Sequence, residues 1–290
     1  MSQKVLITGS SAGFGKLTAD TLIKAGHTVV ASMRDSEGRN ASTATELQGK
    51  GAHIVDLDVT NEKSVESGVA RAIEMAGGID VVINNAGVGV AGLQETFTVD
   101  DWQRLFNINV FGVQRVNRAV LPHMRNQGSG LLIHVSSLLG RFVLPFFGPY
   151  NSSKWALEAM ADNYRVELSA LGIESVIVEP GGFGTDFIGN AFRASDENRI
   201  SSYGEFAGAP DQMISNFEKN YESDNAPDPQ MVADAILKVI DLPRGERPFR
   251  TVVDGLGMGS HIERINETSD EVVEGIYGAF GMAGMLRIKE

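Results

Sequence analysis

The stretch ITGSSAGFGK, residues 7–16, decides the fold, because three different chemistries space their glycines in this manner. Gly9, Ser11 and Gly13 fit the G-x-S-x-G turn of a hydrolase nucleophile, Gly15-Lys16 looks like the end of a phosphate-gripping P-loop, and the glycines together suit a dinucleotide turn. A P-loop needs four residues between its glycines so that consecutive amides wrap a phosphate. Stepping back over four residues from Gly15-Lys16 reaches Ser10, and Leu17 stands where a magnesium-binding hydroxyl belongs, so that reading fails twice. A nucleophile elbow follows a central strand and needs an acid and a histidine downstream. Here the motif follows the first strand-like run, and His27, His53, His123, His134 and His261 have no supporting context. His134 lies in an apolar run, where a satisfied core histidine is expected. What remains is a T-G-x-x-x-G-x-G turn over Thr8, Gly9, Gly13 and Gly15. Its backbone amides and following helix N-terminus can meet a pyrophosphate.

Working outward, strand-like apolar runs recur at residues 5–8, 28–32, 53–57, 80–84, 131–136 and 173–178, separated by segments of helical spacing. Each parallel crossover needs a long connection, and both faces of a parallel sheet must be covered. The alternation therefore predicts an α/β fold, a doubly wound parallel sheet of Rossmann type. A helix is expected over 229–242 and a seventh strand over 249–253. The expected organisation is one domain over 1–290, with an insertion at 183–221 after the sixth strand and a C-terminal extension at 255–290. The insertion holds Phe183, Phe187, Phe192, Tyr203, Phe206, Phe217 and Tyr221, against roughly three aromatics expected from a 7% average. Either these rings cover something apolar or they dock the insertion on the main core. For the tail, an oligomer contact and a loose end both stay open.

A net charge of −12 repels phosphate backbones and anionic lipid, which argues against nucleic acid as a partner. With no cysteine, disulfides and thiolate metal sites are excluded, and no metal is expected. No apolar run approaches membrane-spanning length, and the first strand starts too early for a signal peptide, so the expectation is a cytoplasmic protein without membrane insertion.

With the rest of the chain added, the sequence resembles the short-chain dehydrogenase/reductase family over about its first 190 residues. The family's cofactor loop resembles Thr8 to Gly15, with Gly9, Ser11, Gly13, Phe14 and Gly15. Asp58-Val59 is similar to its adenine-side acid and neighbour, and Asn84-Asn85-Ala86-Gly87 to its strand 4 signature. Asn109 is similar to its helix asparagine, Ser137 to its active-site serine, and Tyr150 with Lys154 to its Y-x-x-x-K pair. Pro180-Gly181 with Thr185 is similar to the segment that contacts the nicotinamide. The resemblance implies a hydride-transferring oxidoreductase, with a homodimer or homotetramer as the expected assembly.

Tyr150 and Lys154 are four residues apart and share one helix face, about 5–6 Å apart at Cβ. Pro149 suits the first turn of that helix. Ser137 follows the strand ending near 136, at the edge where open parallel sheets bind ligands. A carbonyl that accepts hydride needs a proton at its oxygen, and a phenol near pKa 10 releases one reluctantly at neutral pH. A nearby ammonium favours phenolate, so Lys154 is expected to tune Tyr150 and, by the resemblance, to bind the nicotinamide ribose. Ser137 would hold the substrate oxygen. Ser136 is its rival, and the 13-residue separation of Ser137 from Tyr150 matches the family. Asn109 would anchor a water relay to Lys154. NAD-selective members carry an acid where this chain has Met33, and Arg34 stands where NADP-preferring members often carry a basic residue. NADP is thus the expected cofactor, with NAD possible, although Asp35 could neutralise Arg34 and Ala12 is not basic. The expected substrate is a small lipophilic ketone, aldehyde or alcohol. The rival readings are a non-catalytic dinucleotide sensor, which need not keep all four reacting side chains, and an epimerase or dehydratase on the same framework.

Overall fold

The first strand, β1 (Lys4–Thr8), is buried along nearly its whole length, with Val5 and Ile7 facing one helical layer and Leu6 the other. This is the environment of an interior parallel strand, and it explains the continuous apolar run. The computed structural model describes residues 2–185, 187, 189–221 and 226–289. Residues 186 and 188 of the expected insertion, and the ends of the expected domain at 1 and 290, lie outside the described residues.

The other strands are β2 (Thr28–Met33), β3 (His53–Asp56), β4 (Val81–Asn84), β5 (Val90–Ala91), β6 (Gly130–Val135), β7 (Ile173–Pro180), β8 (Phe192–Arg193) and β9 (Arg250–Val253). Six of them and β1 form a parallel sheet in the order β3-β2-β1-β4-β6-β7-β9, and the order reverses between β1 and β4. Ligands of doubly wound sheets lie at such a reversal, outside the carboxyl ends of the strands. The small strands β5 and β8 pair in parallel with each other, which ties the expected insertion to the loop after β4.

The helices are α1 (Gly13–Lys24), α2 (Ala41–Gly49), α3 (Glu62–Ala76), α4 (Val99–Asn109), α5 (Phe111–Gln127), α6 (Gly148–Leu168), α7 (Glu197–Ser202), α8 (Ala209–Tyr221), α9 (Gln230–Asp241) and α10 (Gly259–Ala279). Leu22 of α1 and Val232, Ile236 and Val239 of α9 bury one sheet face, while Val65 and Val69 of α3 and Val116 and Val120 of α5 bury the other. The tail after Gly255, for which the sequence left two readings, contains the 21-residue helix α10, anchored by buried Ile262 and Asn266. Among the described residues no helix is long and apolar enough to cross a membrane, and no group of three or more His, Cys, Asp or Glu side chains is placed to hold a metal ion.

Candidate active site

At the reversal point, β1 runs into the glycine turn. Gly9 and Gly13 adopt positive φ, 71° and 52°, where a side chain would be strained. Gly15 is required for a different reason: a Cβ there would lie 2.3 Å from Gly9 O and 2.4 Å from Asn85 Nδ2. Helix α1 then opens behind Ala12, which offers no side-chain cap, so the N–H groups of the first turn are left for a ligand. Lys16 points elsewhere, pairing with Glu46 at 2.7 Å. This cradle fits a dinucleotide pyrophosphate and not a P-loop phosphate.

Asn85 holds the cradle's shape. Its Nδ2 donates to Thr8 O (2.9 Å) and Gly9 O (3.1 Å), and Thr8 Oγ1 accepts the Asn85 and Ala86 N–H groups, each at 3.1 Å. Thr185 approaches from the far side, its Cβ 4.0 Å from where a Gly13 Cβ would stand. Phe14 and Phe183 pack edge to face at 5.6 Å. Gly181 donates its N–H to Val253 O, and Pro180 ends β7 beside Val253, which carries this segment to the same edge. Ser11 is half-buried in the turn.

The residues expected on the adenine side lie past the ends of β2 and β3. Ser10 N–H donates to Ser32 O, so Arg34 emerges two residues beyond the contact with the glycine turn, just past the end of β2. Met33 is buried and Arg34 exposed, and among the described residues no carboxylate pairs with Arg34. Asp35 makes no ion pair with it; its carboxylate accepts the Arg39 N–H, with φ of 51° at Asp35. Asp58 is held in a turn, Oδ1 accepting from Thr60 N and Oγ1 at 2.9 and 2.7 Å, and Val59 packs against Gly112.

On the nicotinamide side, Tyr150 is in the first turn of α6, which Pro149 helps to start. Tyr150 is only 6% exposed, and burial pushes its phenol well above the ordinary value, with the Ser137 hydroxyl beside it acting in the opposite sense. Lys154 is also buried. Its Nζ donates to Val135 O at 2.9 Å and lies 5.6 Å from the Tyr150 ring centre. Burial brings the Lys154 ammonium down to about 8, against the pull of Glu158. Burial is the largest influence on the phenol, and the Lys154 ammonium is hydrogen-bonded to a backbone carbonyl. Asn109 ends α4, its Nδ2 donating to Val88 O (3.0 Å) and Ser153 Oγ (3.1 Å) while Oδ1 accepts the Val88 N–H (3.0 Å). Asn109 and Lys154 flank Gly87, where a Cβ would lie 3.5 Å from Asn109 Oδ1 and 3.9 Å from Lys154 Nζ. His134 is fully buried, and burial lowers it to about 3, so it is a neutral core residue.

The rings of the 183–221 segment divide between the two readings left open by the sequence. Phe183 belongs to the main core. Phe187, Phe192 and Phe217 instead join a separate apolar cluster with Phe147 and Tyr150. Phe187 meets the Tyr150 ring edge-on at 5.3 Å and fits over Gly89, where a Cβ would come within 2.8 Å of it. Phe206 is 55% exposed and stacks edge to face on Phe146 at the rim.

A glycine cradle at the reversal of a parallel sheet, with a buried Tyr/Lys pair and a serine at its carboxyl edge, defines an NAD(P)-dependent oxidoreductase. The chain belongs to the short-chain dehydrogenase family, whose model, described as short chain dehydrogenase, matches residues 3–196. It is 35% identical over 259 residues to a 3-ketodihydrosphingosine reductase of Bacteroides thetaiotaomicron, covering 88% of each chain. It is 33% identical to bovine (Bos taurus) retinol dehydrogenase 8 over 85% of this chain and 80% of that one. A short-chain dehydrogenase structure from Streptomyces avermitilis superposes with a TM-score of 0.76 at 27% identity, covering 97% of this chain and 98% of its own.

Sequence reasoning missed three buried charged residues, Glu158, Glu179 and Arg250. A signal existed: Glu158 is one helical turn beyond Lys154, and Glu179 interrupts an apolar strand. Gly15→Ala tests the cradle. The added methyl must displace Gly9 O and the Asn85 amide, an overpacking cost of about 1–3 kcal/mol, so thermal stability and dinucleotide affinity should both fall, the latter by about tenfold or more. Wild-type affinity, measured by quenching or calorimetry, would contradict the packing described.

Proposed function

We propose that the protein is an NADP-dependent oxidoreductase that interconverts a lipophilic ketone or aldehyde and its alcohol, with Tyr150 as proton donor and acceptor. The observation that carries this reading is the juxtaposition of a buried phenol, its serine neighbour and an apolar aromatic cover at the carboxyl edge of the sheet. Gly9, Ser11, Gly13, Phe14 and Gly15 would hold the pyrophosphate, Asp58 and Val59 the adenine side, and Asn85, Ala86, Gly87, Pro180, Gly181 and Thr185 the nicotinamide half. Lys154 would hold the nicotinamide ribose. When bound, the reduced nicotinamide supplies hydride to the carbonyl carbon. Ser137 holds the carbonyl oxygen by hydrogen bonding, and Tyr150 delivers the proton to it. Burial keeps Tyr150 in its protonated form, the form required in the reductive direction. Asn109 shapes the backbone at Val88 and holds Ser153, next to Lys154.

Two relatives support the substrate class by their names, one a reductase named for a keto compound and the other a dehydrogenase named for retinol. The 183–221 segment acts as a lid. Phe187 covers the Tyr150 ring and must withdraw for a substrate to reach the hydroxyl, after which closure excludes water. Exposed Arg34 beyond buried Met33 supports NADP, because a free guanidinium can fork onto a 2′-phosphate.

The reading is tested by incubation with NADPH or NADH and a series of ketones of increasing bulk, followed at the nicotinamide absorbance. Arg34→Ala should weaken NADPH binding by about one to two decades and leave NADH binding nearly unchanged, since a charge-assisted phosphate contact is worth about 1.5–3 kcal/mol. Equal losses, or a wild-type preference for NADH, would remove the phosphate contact. Phe187→Ala should raise KM for bulky aromatic ketones more than for small ones. If that variant only loses several degrees of thermal stability and keeps its substrate ranking, the ring is core and not lid.

A further inference from the structure

Lys154 and Glu158 stand one turn apart on α6, and both are buried. Their ends meet the same strand terminus. Lys154 Nζ donates to Val135 O, while Glu158 Oε1 and Ser136 Oγ both crowd Gly140, where a Cβ would lie 3.2 and 2.9 Å from them. Neither oxygen has a hydrogen-bond partner among the described residues.

Behind Glu158 lies a shared guanidinium. Arg250 of β9 donates Nε to Glu158 Oε2 at 3.0 Å and Nη2 to Asp162 Oδ2 at 2.9 Å. Glu179 Oε1 of β7 and Asp270 Oδ1 of α10 each lie 3.7 Å from the same group. Glu179 accepts from Asn266 Nδ2 at 2.6 Å, and Arg141, in the loop after β6, reaches within 4.0 Å of it. Arg165 pairs with Asp270 at 3.6 Å. Asp162 and Asp270 are partly solvated, so Glu158 and Glu179 are the carboxyls that depend on internal charge. Burial raises both; burial and then the Glu158 charge bring Glu179 to about 7. The direct Arg250 bond falls on Glu158, which favours its ionised form. Replacing buried ion pairs of this kind with apolar residues is often neutral or stabilising, so the network is a weak source of stability and calls for another role.

We propose that Glu158 is a positioning residue for the catalytic group: its carboxylate sustains the ammonium charge of buried Lys154 and braces Ser136, the neighbour of Ser137. Without it, Lys154 sits in a dry seat facing one carbonyl and one aromatic ring, and neutralises at lower pH. The consequence for turnover rests on the assignment of Lys154 in the proposed function. The charge coupling itself is a property of the free protein.

The test uses the intact protein without cofactor, with 13C-labelled lysine side chains followed by NMR through a pH titration and Lys154→Arg to assign the resonance. In the wild type Lys154 should titrate near 8, and in Glu158→Gln at least about one pH unit lower, while Asp162→Asn leaves it in place. An unmoved Lys154 in folded Glu158→Gln overturns the proposal. Should that variant fail to fold, the reciprocal measurement decides: in Lys154→Met the Glu158 carboxyl, assigned with Glu158→Asp, should titrate about one unit higher than in the wild type, and an unmoved value overturns the proposal. If the coupling is seen while NADPH turnover proves independent of Lys154, the catalytic assignment falls and the coupling stands.

Discussion

The clamp between the ends of β1 and β4 is the contact on which the rest depends. Thr8 Oγ1 takes the Asn85 and Ala86 N–H groups, and the Asn85 amide returns to Thr8 O and Gly9 O. These bonds satisfy the carbonyls that a glycine turn would otherwise leave facing inward, and they fix where β1 stops. The turn can then present α1 uncapped to a ligand. Gly87, two residues past Asn85, brings Asn109 and Lys154 within reach of the same edge. One side-chain amide thus links the glycine turn to the edge that carries Asn109 and Lys154.

Desolvation, more than pairwise charge, governs the reacting group. Tyr150, Lys154 and Glu158 are all nearly inaccessible, and burial is the largest cause of each shift. A dry site strengthens every oriented dipole in it, which favours a serine-held carbonyl oxygen as charge develops. It also makes uncompensated charge costly. The carboxylates and guanidinium at the far end of α6 meet this cost by sharing charge between α6, β7, β9 and α10. The C-terminal helix is in this way joined to the Arg250 network behind α6 through Asn266 and Asp270.

The parallel sheet was legible because its strands are buried on both faces and so read as unbroken apolar runs; the strands observed match those runs to within two residues at each end. The glycine turn was legible because positive φ and close approach admit no substitute at Gly9 and Gly15. What stayed hidden depends on tertiary partners. Helix α10 buries only a narrow stripe, chiefly Ile262 and Asn266, and leaves Val272 and Ile276 exposed, so its pattern is weak. The two-residue strands β5 and β8 exist only by pairing with each other. The side-chain partners of Asn109 could not be read either: the break between α4 and α5 turns its amide onto Val88 and Ser153. Spacing places Lys154 on the right face without saying which acceptor its ammonium takes, here Val135 O.

The central claim is that a buried phenol moves the proton at this edge of the sheet, and Tyr150→Phe tests it most directly. The ring and its contacts with Phe187 are kept and only the hydroxyl is lost. Measured together, NADPH affinity should remain near the wild-type value and ketone reduction should disappear. Retention of more than about a tenth of wild-type kcat, a loss below about 1.4 kcal/mol in transition-state stabilisation, would contradict the account.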